Sequence, residues 1–141
     1  MILFCDTSAL LKLYIAEEGA VQVANAFAAC DLLAVARVAW VEAHAALARR
    51  AREQPADHAA VEAARHRLAQ QWPDFLTMEL TPELAARAAE FADVFALRAY
   101  DSVQLASAHL LHQAQQEQIL FGCFDRRLNR AAATLGLATL E

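Results

Sequence analysis

Four acidic side chains lie where apolar segments give way to helices, or just inside the following helix: Asp6, Glu42, Asp101 and Asp125. Three of these segments are otherwise apolar, and a carboxylate without a partner is costly to remove from water, so the acids call for a functional explanation. In a parallel α/β sheet the carboxyl ends of the strands lie along one edge, where ligands bind. Acids from distant parts of the chain can meet there. We expect them to form a seat for a hard divalent cation.

A divalent cation at that edge suits hydrolysis of a phosphodiester, because it lowers the pKa of a bound water and neutralises the developing charge. Mg²⁺ keeps several waters and is typically held by one or two carboxylates. Four acids therefore predict direct ligands together with residues that orient water. We assign Asp6 and Asp101 as ligands and Asp125 as a ligand of the same or a second ion. Glu42 is expected to be a water-orienting base or a ligand of a second site.

Polar residues next to the acids are candidates for supporting roles. Thr7 and Ser8 can hydrogen-bond the carboxylates or the substrate, and each can equally serve as a plain helix cap. Ser102 and Gln104 are candidate rim residues, with core packing or capping as the alternative.

The charge of the chain is concentrated in the predicted site. Without the four site acids, 13 of the 17 Asp and Glu residues remain against 12 Lys and Arg, so the net charge of −5 belongs largely to the site. Eleven of the twelve bases are arginines, which suit bidentate phosphate contacts. Arg98 precedes Asp101 and Arg126 follows Asp125, so these two arginines are candidates for substrate contact. A solvated helix face is the alternative for both.

The apolar pattern predicts alternating strands and helices. Strands are expected at 2–5, 32–35, 75–80, 118–124 and 137–140. Helices are expected from the ALLKLY segment, capped by Asp6, Thr7 or Ser8, and at 18–29, 38–53, 58–71, 82–97, 102–116 and 125–135. Such an alternation favours an α/β domain with a mostly parallel sheet of about five strands and helices on both faces.

Composition limits the setting of this domain. The 141 residues are 58% hydrophobic with 3 Gly and 3 Pro, as expected for one ordered domain, and the apolar excess suggests a buried self-interface. The start of the chain lacks the pattern of a signal peptide, and no uncharged stretch is long enough to cross a membrane, so we expect a cytoplasmic protein with no membrane contact. Three cysteines without a CxxC spacing indicate neither a disulfide framework nor a zinc site.

Four segments, FCDTSALLKLY, VEAHAALAR, LRAYDSVQLASA and CFDRRLNRAA, resemble in this order those of the PIN-domain nucleases, and most of all the VapC toxins of bacterial toxin–antitoxin pairs. The resemblance covers essentially the whole chain and implies a single PIN-like domain over residues 1–141. It implies that the four acids form the site, with Mg²⁺ or Mn²⁺ as cofactor and RNA as substrate. It also implies a VapB-like antitoxin partner and a homodimer. One departure is that many relatives carry Ser or Thr close before the last acid, where this chain has Cys123 and Phe124.

Two other readings of the acids are open. A Mg²⁺-binding receiver or phosphatase also places Asp after its first strand, but a phosphatase of the haloacid dehalogenase type requires a second Asp where Ser8 stands. A receiver requires a late lysine, and Lys12 is the only lysine. The second alternative is a PIN-like module that has lost catalysis and only binds a partner.

Overall fold

The most apolar segments of the chain form the centre of a parallel sheet. In the computed structural model, which describes residues 1–141, the strands are β1 (Ile2–Cys5), β2 (Leu32–Ala36), β3 (Leu76–Met78), β4 (Ile119–Gly122) and β5 (Ala138–Thr139). Their order is β3-β2-β1-β4-β5, and every neighbouring pair is parallel. The predicted parallel sheet of about five strands with flanking helices is confirmed.

Seven helices cover the two faces of the sheet. They are α1 (Thr7–Leu11), α2 (Ala20–Ala29), α3 (Val38–Glu53), α4 (His58–Gln71), α5 (Pro82–Val94), α6 (Ala99–Ala114) and α7 (Arg126–Thr134). None of these helices combines the length and the apolar character needed to cross a membrane.

Alternate side chains of β1 enter two separate cores. Ile2 and Phe4 pack with residues of α5, α6 and α7, whereas Leu3 and Cys5 pack with residues of α1 to α4. All four side chains are buried. Because successive side chains of a strand point to opposite faces, a strand covered on both faces must be apolar throughout, which explains the unbroken ILFC run.

The chain changes direction across the sheet between β1 and β4. From β1 it passes through β2 to the edge strand β3, and it then returns to β4 and β5 on the other side. Such a reversal leaves a crevice beyond the carboxyl ends of the two central strands. Asp6 directly follows β1, and its amide nitrogen donates to the carbonyl oxygen of Gly122 at the end of β4, at 3.0 Å. The fold therefore holds the ends of β1 and β4 together at the place where a ligand is expected.

Three strands are shorter than predicted. β3 does not reach the predicted bounds of 75–80, because it is an edge strand that pairs with β2 only opposite Ala34–Ala36. β4 and β5 are also shorter than the predicted 118–124 and 137–140. The hydrophobic pattern extends beyond the residues that have a hydrogen-bonding neighbour.

The junction between α5 and α6 differs most from the prediction. Helix α5 ends at Val94 rather than 97, because Ala96 adopts a left-handed conformation with φ 53°. Helix α6 begins at Ala99 rather than 102, after Arg98 in extended conformation. As a result Asp101 lies within the first turn of α6 instead of preceding the helix.

Helices α5 and α7 end with the same backbone motif but a different residue. At the end of α5, the amide of Leu97 donates to the carbonyl of Ala92, and the left-handed Ala96 lies between them. At the end of α7, the amide of Leu137 donates to the carbonyl of Ala132 in the same way, with Gly136 at φ 85° in the equivalent position. Glycine is usual at this position because a Cβ is strained there. Ala96 is the only non-glycine residue of the chain with positive φ.

We expect Ala96→Gly to raise the free energy of unfolding by about 1 kcal/mol, and Gly136→Ala to lower it by a similar amount. Urea denaturation of both variants beside the wild type measures the two changes. Gly136 is a suitable counterpart because an added Cβ would meet no atom within 4 Å, so that only backbone strain changes. Equal or lower stability of Ala96→Gly would show that Ala96 carries no such strain.

Candidate active site

The four predicted acids line one cavity of about 390 Å³ at the carboxyl edge of the sheet. Asp6, Glu42, Asp101 and Asp125 share its wall with a single basic side chain, that of Arg98. We call this space the carboxylate cavity. It is strongly acidic, since four carboxylates face one guanidinium group.

Asp6 is the N-cap of α1 and the most buried of the four acids, with 6% of its surface exposed. Its Oδ1 accepts hydrogen bonds from the Ser8 hydroxyl at 2.8 Å and from the Ala9 amide at 2.9 Å. Burial raises the pKa of the Asp6 carboxyl. The bonds from Ala9, Ser8 and Cys123 lower its pKa in part, and the charge of Asp101 raises it further. The carboxylate is thus fixed by neutral donors and not by an opposite charge.

Glu42 is held by a three-membered network that joins α1, α3 and α6. Its Oε1 accepts from the Thr7 hydroxyl at 2.8 Å and from Nε2 of Gln104 at 3.0 Å, and the same Nε2 lies 3.1 Å from the Thr7 oxygen. Because a carboxylate only accepts, the Gln104 amide must present its nitrogen to Glu42. Gln104 is 2% exposed and its Oε1 has no partner. The network fixes Oε1 of Glu42 and leaves Oε2 without a hydrogen bond.

The carboxylate of Asp101 makes no hydrogen bond and no ion pair, although Asp101 lies in the first turn of α6. Burial raises the pKa of its carboxyl, and the charge of Asp125 raises it further. Arg98 lowers this pKa in part, while Glu42 adds to the increase. The charges of Asp125, Arg98 and Glu42 therefore all act on the Asp101 carboxyl, after the effect of burial.

Asp125 is the N-cap of α7, and its Oδ1 accepts from the Leu128 amide at 2.9 Å. Its own amide donates to the sulfur of Cys123 at 3.3 Å, and the Asn129 side chain donates to the Cys123 carbonyl at 3.0 Å. The Asp125 carboxylate is therefore held by the helix cap, although Cys123 and Phe124 precede it where many relatives carry Ser or Thr.

The remaining predicted residues have different surroundings. Thr7 and Ser8 line the carboxylate cavity, but Ser102 does not; it is buried and donates to the carbonyl oxygen of Arg98 at 2.8 Å. Arg126 lines an adjoining cavity together with Arg98.

Sequence reasoning missed two structural contacts in the site. It did not predict that Gln104 bonds Glu42, although Gln104 follows Asp101 by three residues and so lies on the same face of α6. It also assigned no role to Cys123, for which a position two residues before Asp125 was the only signal.

The carboxylate oxygens of the cavity fit a hard cation that keeps several of its bound waters. No three His, Cys, Asp or Glu side chains converge closely enough to form a complete ligand set. Asp101 is free of other partners, however, and Glu42 and Asp125 each retain one carboxylate oxygen without a hydrogen bond. Structural zinc sites require four converging ligands, whereas Mg²⁺ is held by one or two carboxylates and keeps its waters. The arrangement therefore fits Mg²⁺ or Mn²⁺ better than zinc.

Comparisons with known proteins point to one family. The family model of the PIN domain matches residues 3–134 of this chain. Ribonuclease VapC45 of Mycobacterium tuberculosis is 31% identical over 139 residues, which cover 96% of this chain and 92% of that protein.

Two solved structures share the fold. VapC20 of Mycobacterium tuberculosis, a toxin that cleaves the sarcin–ricin loop, has a TM-score of 0.67 at 19% identity and covers 92% of this chain and 94% of its own. VapBC2 of Rickettsia felis, bound to a fragment of its promoter DNA, has a TM-score of 0.66 at 9% identity. The match covers 99% of this chain and 97% of the Rickettsia chain. At these identities the likeness concerns the fold.

The raised pKa of Asp101 predicts how Asp101→Asn changes stability with pH. A carboxyl whose pKa is raised by folding destabilises the folded state while it is ionised; this effect is complete above the folded-state pKa and absent below the unfolded value near 4. In EDTA, Asp101→Asn should therefore be more stable than the wild type at about pH 8, and its advantage should shrink as the pH falls toward about 5.

Urea denaturation across this pH range measures the effect. Asp93→Asn, which removes an exposed carboxylate on α5 outside the cavity, is the matched control. An advantage of Asp101→Asn that is absent at about pH 8, or that does not change with pH, would contradict the stated origin of the pKa shift.

Proposed function

This chain belongs to the PIN-domain family, and we propose that it is an endoribonuclease that hydrolyses RNA phosphodiester bonds with Mg²⁺ or Mn²⁺ and acts as the toxin of a toxin–antitoxin pair. The observation that carries the proposal is the carboxylate cavity, where four acids face one arginine beyond the ends of β1 and β4. A substrate with anionic phosphates cannot approach such a cavity unless a cation balances its charge. The excess of carboxylates therefore supports metal-dependent cleavage.

We assign Asp6 and Asp101 as residues that hold the cation, and Asp125 as a ligand of the same or a second ion. A divalent cation bound there supplies Lewis acidity and neutralises charge as the phosphodiester is attacked. Asp6 and Asp125 are oriented by the first turns of α1 and α7, whose backbone amides donate to their Oδ1 atoms. Because these donors are uncharged, they orient the two carboxylates without an ion pair that would compete with the cation.

We assign Glu42 as the general base. Thr7 and Gln104 fix its Oε1, so its free Oε2 can accept a proton from the attacking water. The water oxygen forms the new bond to phosphorus, and the bond from phosphorus to the departing ribose oxygen breaks. That oxygen takes up a proton from solvent. Thr7 and Gln104 act through Glu42 and are positioning residues.

The antitoxin is a VapB-like protein that inhibits by reaching the carboxylate cavity. An arginine of the partner would form a bidentate ion pair there and compete with the cation. The structural neighbour VapC20 is a toxin, and VapBC2 was solved bound to a fragment of its promoter DNA. We propose that the protein binds both RNA and the antitoxin in the cytoplasm.

The family also suggests a homodimer. Large hydrophobic side chains that the single chain leaves exposed are the candidates for its interface: Val21, Val41, Leu80, Val94 and Tyr100. A mass in solution equal to one chain of 15.4 kDa, rather than two, would exclude this assembly.

Purified protein should cleave mixed RNA in Mg²⁺ or Mn²⁺ and lose this activity in EDTA. We expect Asp6→Asn and Asp101→Asn each to lower the rate at least about 100-fold, and Gln104→Leu to lower it roughly 10-fold because Glu42 loses one of two donors. Asp93→Asn should cleave like the wild type. Full activity of Asp6→Asn or Asp101→Asn would refute the assigned site.

The same variants separate loss of metal from loss of fold. Mg²⁺ or Mn²⁺ should raise the Tm of the wild type, because a ligand bound only by the folded state stabilises it. The double variant Asp6→Asn/Asp101→Asn should fold and show almost no such rise at matched ionic strength. An equal rise in both proteins would place the cation elsewhere.

Toxicity is tested in cells. Expression of the chain alone should arrest bacterial growth, expression of Asp101→Asn should not, and coexpression of the neighbouring antitoxin gene should restore growth. A wild-type chain that is harmless when soluble and abundant would indicate a binding module without toxin activity.

A further inference from the structure

The basic side chains of this protein fall into two groups. Half of the twelve form ion pairs with Asp or Glu at 2.6–3.9 Å: Lys12, Arg37, Arg49, Arg50, Arg65 and Arg87. The other six have no carboxylate partner: Arg52, Arg67, Arg98, Arg126, Arg127 and Arg130. Four of these six lie on α7 or directly before α6. In a chain of net charge −5, unpaired arginines are thus concentrated beside the carboxylate cavity.

Three of the unpaired arginines line a second cavity of about 320 Å³. Arg98, Arg126 and Arg127 share its wall with Asp101 and Asp125, and we call it the arginine cavity. Because Arg98, Asp101 and Asp125 also line the carboxylate cavity, the two spaces adjoin. None of the three arginines forms an ion pair with either acid. When a cation balances the acids, the arginine cavity presents three guanidinium groups without a counter-ion.

The fold holds this cavity in place through the α5–α6 junction. Nη1 of Arg127 donates to the carbonyl oxygen of the left-handed Ala96 at 3.2 Å, which ties the start of α7 to the segment before α6. The side chain of Arg126 makes no hydrogen bond within the chain, so all of its guanidinium donors remain available.

The carboxylate cavity shares Leu11 and Ala46 with a different cavity, of about 570 Å³. The arginines of that cavity are already neutralised, since Arg49 pairs with Glu53 and Arg50 pairs with Glu17 and Asp57. Of the two cavities that adjoin the carboxylate cavity, only the arginine cavity is therefore lined by unpaired arginines.

We propose that the arginine cavity binds a phosphate of the RNA strand adjacent to the phosphodiester that is cleaved. Arginine presents paired donors that match the phosphate oxygens, and this contact does not depend on base identity. The strand would run from the carboxylate cavity over Asp101 and Asp125 toward α7. This inference rests on the proposed nuclease function and adds the side of the carboxylate cavity along which the strand lies.

The test measures binding and cleavage of a short oligoribonucleotide. Arg126→Ala and Arg126→Ala/Arg127→Ala should raise the Kd about tenfold and more than tenfold respectively, by fluorescence anisotropy in the inactive Asp6→Asn protein with Mg²⁺. Each lost contact should flatten the plot of log Kd against log salt by about 0.7. In the active protein KM should rise while kcat changes little, because the contact is made equally in the ground state and the transition state.

Arg130→Ala is the matched control, because Arg130 is exposed and unpaired on the same helix but does not line the cavity. The single variant Arg126→Ala remains informative even if loss of the bond between Arg127 and Ala96 loosens the α5–α6 junction. An unchanged Kd and salt slope in both cavity variants would overturn the inference, as would an equal effect of Arg130→Ala.

The outcomes also separate this inference from the proposed function. If the wild type cleaves RNA and the cavity variants bind it normally, the inference fails and the nuclease assignment stands. If the variants bind RNA normally but bind the antitoxin less tightly, the arginine cavity is a protein contact and the inference is again overturned. If the wild type neither binds nor cleaves RNA, both proposals fail together.

Discussion

The repulsion among four carboxylates is the constraint on which the rest of this structure depends. Asp6, Glu42, Asp101 and Asp125 surround one cavity with a single arginine, and burial together with their mutual charge raises the pKa of both Asp6 and Asp101. Ion pairs would relieve the repulsion but would also cancel the charge that a cation requires. The protein instead orients Asp6, Glu42 and Asp125 with neutral donors, which are backbone amides, hydroxyl groups and one buried amide side chain.

The sheet topology makes this solution possible. Because the chain reverses direction between β1 and β4, two helices begin side by side at the same edge. Their first turns need acceptors for free amide groups, and Asp6 and Asp125 supply them as N-caps. The same two carboxylates thus satisfy a local requirement of the helices and contribute to the cavity. Their contribution to helix stability offsets part of the free energy that the clustered charges cost.

The sequence allows the general arrangement to be predicted better than its details. Unbroken apolar runs such as ILFC indicate buried parallel strands, and an acid at the end of such a run indicates a site at the strand edge. The start of α6 could not be predicted in this way, because it depends on the left-handed turn at Ala96, where the usual glycine signal is missing. The bond from Gln104 to Glu42 joins residues 62 positions apart, so that only the packing of α6 beside α3 brings them together.

The distribution of charge over the whole chain follows the same logic as the site. Away from the carboxylate cavity, acids and bases neutralise one another in exposed pairs, such as Arg49 with Glu53, which contribute little to stability. At the cavity the acids remain unpaired, and beside it Arg126 and Arg127 remain unpaired as well. These acids and arginines lie close together, yet they do not form the ion pairs that their opposite charges would favour. Two different ligands, one for the acids and one for the arginines, best explain why they stay apart. In the function that we propose, a dication would balance the acids, and the phosphates of a nucleic acid strand would contact the arginines.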